Sequence, residues 1–316
     1  MKSPVLSILF LLISVTLLAV PNDFRFRHFS VEDGLSSNSV RAIMQDKYGF
    51  LWIGTEEGLN RYDGIMIKSY SICPQAAGKY ISSLYGTKKN IWIGTDEGIY
   101  IYAYATETFT YFDLTTPNNV RITSIVNHIL QDKDGNLWFS TNGQGLFRYN
   151  LSKNYLEQYE FTSAFGIVAS TMADSDNQIW ALTNQGESGV YKLNKAENKF
   201  EPFGLLYNAG NHHSQALAML EDSEQTLWLG TWECGLQKID KYTRQTTTYL
   251  HPTDGKGVTH IHSLMEYAPH QLLIGSDDGL LLFNTLTEEY KLFTENETVP
   301  NSLSNRFVYP IIKDRE

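Results

Sequence analysis

Short apolar stretches separated by turn residues recur along the whole chain. The first, Ser39 to Gln45, is mainly apolar, as a strand buried on both faces should be. Asp46-Lys47-Tyr48-Gly49 follows, with the Asp and Gly that favour a tight turn. Phe50 to Thr55 reads as a second strand, Glu56-Glu57-Gly58 as a turn, Leu59 to Asp63 as a third strand and Ile67 to Tyr70 as a fourth. Four strands of about five residues with short turns make a unit in the forties, the size of a propeller blade.

The second strand marks the period. Trp52-Ile53-Gly54-Thr55 returns as Trp92-Ile93-Gly94-Thr95, Trp138-Phe139-Ser140-Thr141, Trp180-Ala181-Leu182-Thr183, Trp228-Leu229-Gly230-Thr231 and Leu273-Ile274-Gly275-Ser276. The six copies start 40, 46, 42, 48 and 45 residues apart. Asp46, Asp132, Asp174 and Asp222 each precede their Trp by six residues, and the second unit has Gly86 at that place. The fourth strand has its own signature, an aromatic pair three apart: Phe109 and Phe112, Phe200 and Phe203, Tyr290 and Phe293.

Two end segments fit the same phase. Phe26 to Phe29 has the fourth-strand signature without the three strands before it. Phe307 to Lys313 resembles an inner strand, with Asp314 as its turn residue. The expected fold is an all-β, seven-bladed β-propeller of four-stranded antiparallel blades over residues 21–316. Its N-terminal strand, 24–29, closes the last blade, covering an edge that invites aggregation. The chain is expected to be cut inside an incomplete seventh blade. Ahead of it, Lys2 and the apolar run Val5 to Val20 read as a signal peptide over residues 1–20, or an uncleaved anchor, so the rest is exported.

The net charge of −10 with no Lys/Arg cluster leaves nucleic-acid binding without an electrostatic footprint. Cys73 and Cys234 lie four units apart and make no disulfide framework; they read as free thiols.

Indole rings stack on sugars, but a Trp at one fixed place in each unit is what blade packing requires. Trp52, Trp92, Trp138, Trp180 and Trp228 therefore read as structural. Gly54, Gly94, Gly230 and Gly275 read as points of close backbone approach. The chemistry is expected where units differ, in the turns after the Trp strands and the links between units. These carry Asn142, Gln144, Asn184, Gln185, Trp232 and Glu233, a polar, amide-rich set suited to hydroxyl groups. Trp232, the one Trp outside the repeat position, is the first candidate for a ring that stacks on a ligand; its other reading is a cover for a neighbouring loop or domain. His212, His213, His260 and His262 cluster in the links around units five and six and join the candidate set. No metal-ligand spacing accompanies them, so neither a metal nor a cofactor is expected. Asp132 to Asn136 glances at a calcium loop, but Gly143 stands where the closing Glu belongs. Adjacent carboxylates such as Asp277-Asp278 seldom face each other across a cleft, and no nucleophile elbow or phosphate loop is present, so catalysis has no positive signal.

The run Phe29-Ser30-Val31-Glu32-Asp33-Gly34-Leu35-Ser36-Ser37-Asn38-Ser39-Val40, with Asp46-x-x-Gly49-Phe50-Leu51-Trp52-Ile53-Gly54-Thr55 and Gly58-Leu59-Asn60-Arg61-Tyr62-Asp63, resembles the two-component regulator propeller repeat. The resemblance covers Phe24 to Glu316 and weakens in units four and six. It implies the first propeller of the periplasmic sensor region of a Bacteroides-type hybrid two-component histidine kinase, anchored in the inner membrane. It further implies oligosaccharide sensing that controls polysaccharide utilisation, a homodimeric receptor, and no direct nucleic-acid contact by this region. An exported polysaccharide lyase or glycosidase, or a purely structural dimerisation scaffold, are the other readings.

Overall fold

A buried carboxylate sets the hairpin of each typical unit. In the computed structural model, which describes residues 24–72, 79–161, 166–183, 189–204, 215–252, 257–296, 298–299 and 301–315, Asp46 accepts the amides of Tyr48 and Phe50 and the indole N–H of Trp52. The turn is thereby closed and the Trp fixed in one step. The same indole bond recurs from Trp138 to Asp132, Trp180 to Asp174 and Trp228 to Asp222 at 2.8, 2.9 and 2.7 Å.

Six sheets result, each ordered as its strands run in the chain. Blade one is β1 (Val40–Gln45), β2 (Leu51–Thr55), β3 (Gly58–Tyr62) and β4 (Ile67–Tyr70). Blade two is β5 (Ile81–Gly86), β6 (Asn90–Thr95), β7 (Gly98–Ala103) and β8 (Thr108–Tyr111). Blade three is β9 (Val126–Gln131), β10 (Leu137–Thr141), β11 (Leu146–Asn150) and β12 (Tyr155–Tyr159). Blade four is β13 (Val168–Ala173), β14 (Ile179–Thr183), β15 (Val190–Asn194) and β16 (Lys199–Gly204). Blade five is β17 (Ala216–Glu221), β18 (Leu227–Thr231), β19 (Leu236–Ile239) and β20 (Thr246–Tyr249). Blade six is β21 (Ile261–Ala268), β22 (Gln271–Ser276), β23 (Gly279–Asn284) and β24 (Tyr290–Phe293). All pairings are antiparallel, and the inner strands β1, β5, β9, β13, β17 and β21 follow one another round a central channel.

The core lies between blades. Trp52 packs with Ile81, Ile91 and Ile93 of blade two, Trp92 with Val126 and Phe139 of blade three, and Trp138 with Val168 and Ile179 of blade four. Trp180 and Trp228 do the same toward blades five and six. The glycines two residues on make room for this. A Cβ on Gly54 would lie 2.5 Å from Ile81 Cγ2, and one on Gly230 2.5 Å from Ile261 Cγ2. Gly94 faces Ser83 and Val126 as closely, and Gly275 faces Ser263 and Val308. Blade four reverses the sizes: Leu182 stands where the glycine would, and it shares a cluster with the small Ala216 of the next inner strand.

The expected seventh blade does not form; the propeller has six. Neither 24–29 nor 307–313 is a strand. An inner strand is held by its ladder to a Trp strand, and 307–313 has no such partner among the described residues. It lies as coil between blades six and one, where Val308 N–H donates to Ser276 O at 2.9 Å and Arg315 N–H to Gln45 Oε1 at 2.9 Å. The 24–29 segment packs Phe24 and Phe26 on Phe293 without a ladder.

The count of six residues also misplaces the turn of blade two. Its hairpin is one residue shorter, pairing Gly86 with Ile91, so Thr87 rather than Gly86 takes the aspartate's place. The Thr87 hydroxyl accepts the amides of Lys89 and Asn90, and the indole N–H of Trp92 finds no partner among the described residues.

Candidate functional site

Every inner strand slips register near its start against its Trp strand, and β21 slips a second time between Glu266 and Ala268. The residues skipped near the start are Arg41, Ser82, Asn127, Ala169, Leu217 and His262. All six line one cavity of about 590 Å³ in the channel. Among the described residues, the turns of Asn142 and Trp232 and the link residue His260 sit at the end of the channel where these bulges lie.

Trp232 and His260 meet there. Trp232 is 37% exposed, and its rings stack on the His260 imidazole with centroids 3.7 Å apart and planes 27° from parallel. His260 holds a left-handed backbone at φ 48°, secured by its N–H donating to Trp232 O at 3.0 Å. His260 Nδ1–H and His262 Nε2–H both donate to Asp277, the latter at 2.7 Å. A carboxylate only accepts, so each bonded nitrogen carries a proton, and the neutral His262 ring keeps Nδ1 as an acceptor.

The electrostatics follow from burial and these bonds. Burial lowers the His262 pKa and outweighs the bond to Asp277, keeping the ring neutral at pH 7. Burial works against the Asp277 carboxylate, but the two imidazole bonds prevail and hold its pKa below the ordinary value. On the far side, the His262 ring packs on Tyr309 at 4.4 Å, and the Arg41 guanidinium lies 4.7 Å over the same ring while pairing with Glu56. One aromatic and hydrogen-bonded arc thus runs from Trp232 through Tyr309 to Arg41.

The remaining sequence candidates divide. Glu233 is exposed in the Trp232 turn. Asn142 lines the channel on the opposite side, near blade four. Gln144 is spent on the link before β9, accepting the amides of Thr123 and Ser124 and donating to Arg121 O. Asn184, Gln185, His212 and His213 lie outside the described residues, as does Cys73; Cys234 is buried and in no disulfide among the described residues. Asp277 and Asp278 do not face each other as a catalytic pair. Asp277 holds the two histidines, and Asp278 accepts the amide and hydroxyl of Thr259 at 2.7 and 2.9 Å. Among the described residues no group of three His, Cys, Asp or Glu side chains could hold a metal ion, and no helix is long and apolar enough to cross a membrane.

Arg41 and Tyr309 were not singled out in the sequence, and Asp277 was named there only as one of an adjacent acidic pair. A signal for the first was present: a charged residue within an inner strand otherwise rich in apolar residues, eleven places before its Trp, where His262 also stands relative to Leu273.

The two-component regulator propeller family model matches residues 34–57 and 120–143. The histidine kinase P4 of Formosa agariphila is 26% identical over 293 residues, covering 87% of this chain and 21% of that protein. The extracellular domain of the hybrid two-component system BT3049 from B. thetaiotaomicron superposes with a TM-score of 0.77 at 24% identity, over 92% of this chain and 39% of that one. That of BT4673 gives 0.76 at 23%, over 92% and 38%. The chain therefore spans about a fifth of the curated relative and under two-fifths of the solved chains. The matched segments fall on the link, inner strand and Trp strand of blades one and three, which are thus similar to the two-component regulator propeller repeat.

Proposed function

We propose that this propeller is the exported recognition module of a hybrid two-component receptor and takes part in sensing an oligosaccharide. The observation that carries the reading is the partly exposed Trp232 ring, stacked on His260 and 6.4 Å from the His262 ring that lines the channel cavity. An aromatic platform beside hydrogen-bond acceptors is what a sugar's C–H face and hydroxyl edge require. The repeat family and the resemblance to extracellular domains of two-component systems support the signalling context. In this reading residues 1–20 direct export to the periplasm, the whole receptor sits in the inner membrane as a dimer, and a kinase outside this chain responds by switching on polysaccharide-utilisation genes.

Calorimetry of the intact exported region against a panel of polysaccharide fragments tests recognition, with a reporter of gene induction in the cell. Heat of binding and induction by the same fragment are expected. Silence in both assays across the panel overturns the reading. Cell fractionation and light scattering check the location and the dimer.

A further inference from the structure

The six register slips near the strand starts share a property that the recognition reading alone does not require. In each inner strand the residue before the slip is apolar: Val40, Ile81, Val126, Val168, Ala216 and Ile261. The slipped residue itself varies freely, as Arg41, Ser82, Asn127, Ala169, Leu217 and His262. A bulge leaves one residue out of the ladder and re-aims its side chain. Here the same backbone device is repeated six times, and all six side chains reach one cavity. The frame is constant and the presented chemistry is not.

We infer that these six bulge positions determine specificity, and that the ligand is the neutral, hydroxyl-rich end of a saccharide entering the channel along its axis. This rests on the recognition reading above and adds where the ligand sits and what kind it is. Round the ring, His262, Arg41, Ser82 and Asn127 form a polar arc, and Ala169 with Leu217 an apolar one. A pyranose, with hydroxyls at its edge and C–H groups on its faces, matches that division. The arc offers no free charge for an anion, because Arg41 is paired with Glu56. Ser82 and Asn127 also tie neighbouring inner strands, donating to Val126 O at 2.8 Å and Val168 O at 2.9 Å, which fixes their position in the wall. The cavity of about 590 Å³ lies within the usual range of small-ligand pockets, about 300–1,000 Å³, and suits a chain end rather than a long chain.

The test uses the 316-residue chain, neutral oligosaccharides and their uronate-containing counterparts, with binding read by calorimetry and folding by thermal melting. Ala169→Arg and Leu217→Arg place a charge in the apolar arc; Trp232→Ala alters only the rim. A neutral oligosaccharide is expected to bind and to lose at least about tenfold in affinity with either arginine. Should an arginine variant fail to fold, Ala169→Cys serves instead: the bound saccharide is expected to protect the introduced thiol from alkylation. Full affinity in the arginine variants, or a thiol left unprotected in Ala169→Cys, with binding abolished by Trp232→Ala, puts the ligand on the rim; the inference then falls and the recognition reading stands. Preference for the uronate series overturns the neutral ligand. Binding by no member of the panel to this chain overturns the inference, and the recognition reading then stands or falls with the intact exported region.

Discussion

Asp46 Oδ2 accepts the indole N–H of Trp52 at 2.8 Å, while Oδ1 takes the amides of Tyr48 and Phe50 at 2.9 and 3.1 Å. The carboxylate is 2% exposed, so water cannot replace it for these donors. Asp46→Ala is expected to cost about 2–4 kcal/mol, the range for stranding buried donors of a charge-assisted network. Thr87→Ala in blade two breaks only turn bonds from a neutral hydroxyl and should cost about 1 kcal/mol. Urea unfolding of both variants decides; equal losses would show that the indole bond contributes nothing.

Leu182 is 1% exposed and faces the small Ala216 across the blade interface, where elsewhere a glycine faces a branched side chain. Ala216→Ile alone overpacks the interface and should cost about 1–3 kcal/mol, and Leu182→Gly alone opens a cavity at a cost of about 3–5 kcal/mol. The double variant restores the arrangement of Gly54 with Ile81, so its loss should be smaller than the sum by about 1–2 kcal/mol. Additive losses would show that the two sites do not share volume.

This pairing also shows what a sequence yields. The period, the strands and the Trp–Asp spacing were legible, because they are local and repeated: Asp46 and Trp52 are six residues apart in one hairpin. The blade count was not. The inner-strand pattern of Phe307 to Lys313 is a local signal, but a strand exists only where a partner supplies its ladder. Of the candidate residues, Trp232, His260 and His262 stood out in the sequence as unusual; the first two lie in a turn and a link, and His262 lies on β21. Asp277, which joins the two histidines, was passed over as a turn residue, although His262 lies on the inner strand whose ladder with β22 ends at that turn; which way its imidazole points is what the sequence does not reveal. Gln144 looked available for a ligand and is spent on the Arg121–Ser124 loop.

His128 lies in the channel wall, enclosed by the ring, and burial pushes its pKa from 6.5 to about 4. The unfolded chain takes up this proton below about pH 6.5 and the folded chain does not until about pH 4, so stability is lost as pH falls through that window. The loss from this group is on the order of 2–3 kcal/mol between pH 7 and pH 4. His128→Gln keeps a polar group for Thr171 and removes the titration, so its stability should fall less over the same interval. Denaturant unfolding at pH 7 and 4.5 measures the difference. An acid limb unchanged by the substitution would place the proton elsewhere.

Asp277 opposes the effect of burial on His262: desolvation lowers the imidazole pKa, and the carboxylate's hydrogen bond and charge raise it. Asp277→Asn removes the charge while keeping the shape, so the His262 titration midpoint should move further down. At pH 7 the ring is neutral in both proteins, and the stability difference there should be modest, about 1 kcal/mol, the scale of one hydrogen bond. Below pH 6.5 the gap should widen, because the unfolded state binds the proton equally in both and the folded variant resists it longer. Proton NMR of the histidine ring signals across pH 4 to 8 follows the midpoint directly. A midpoint that stays put or rises would mean that the carboxylate does not act on His262 in solution.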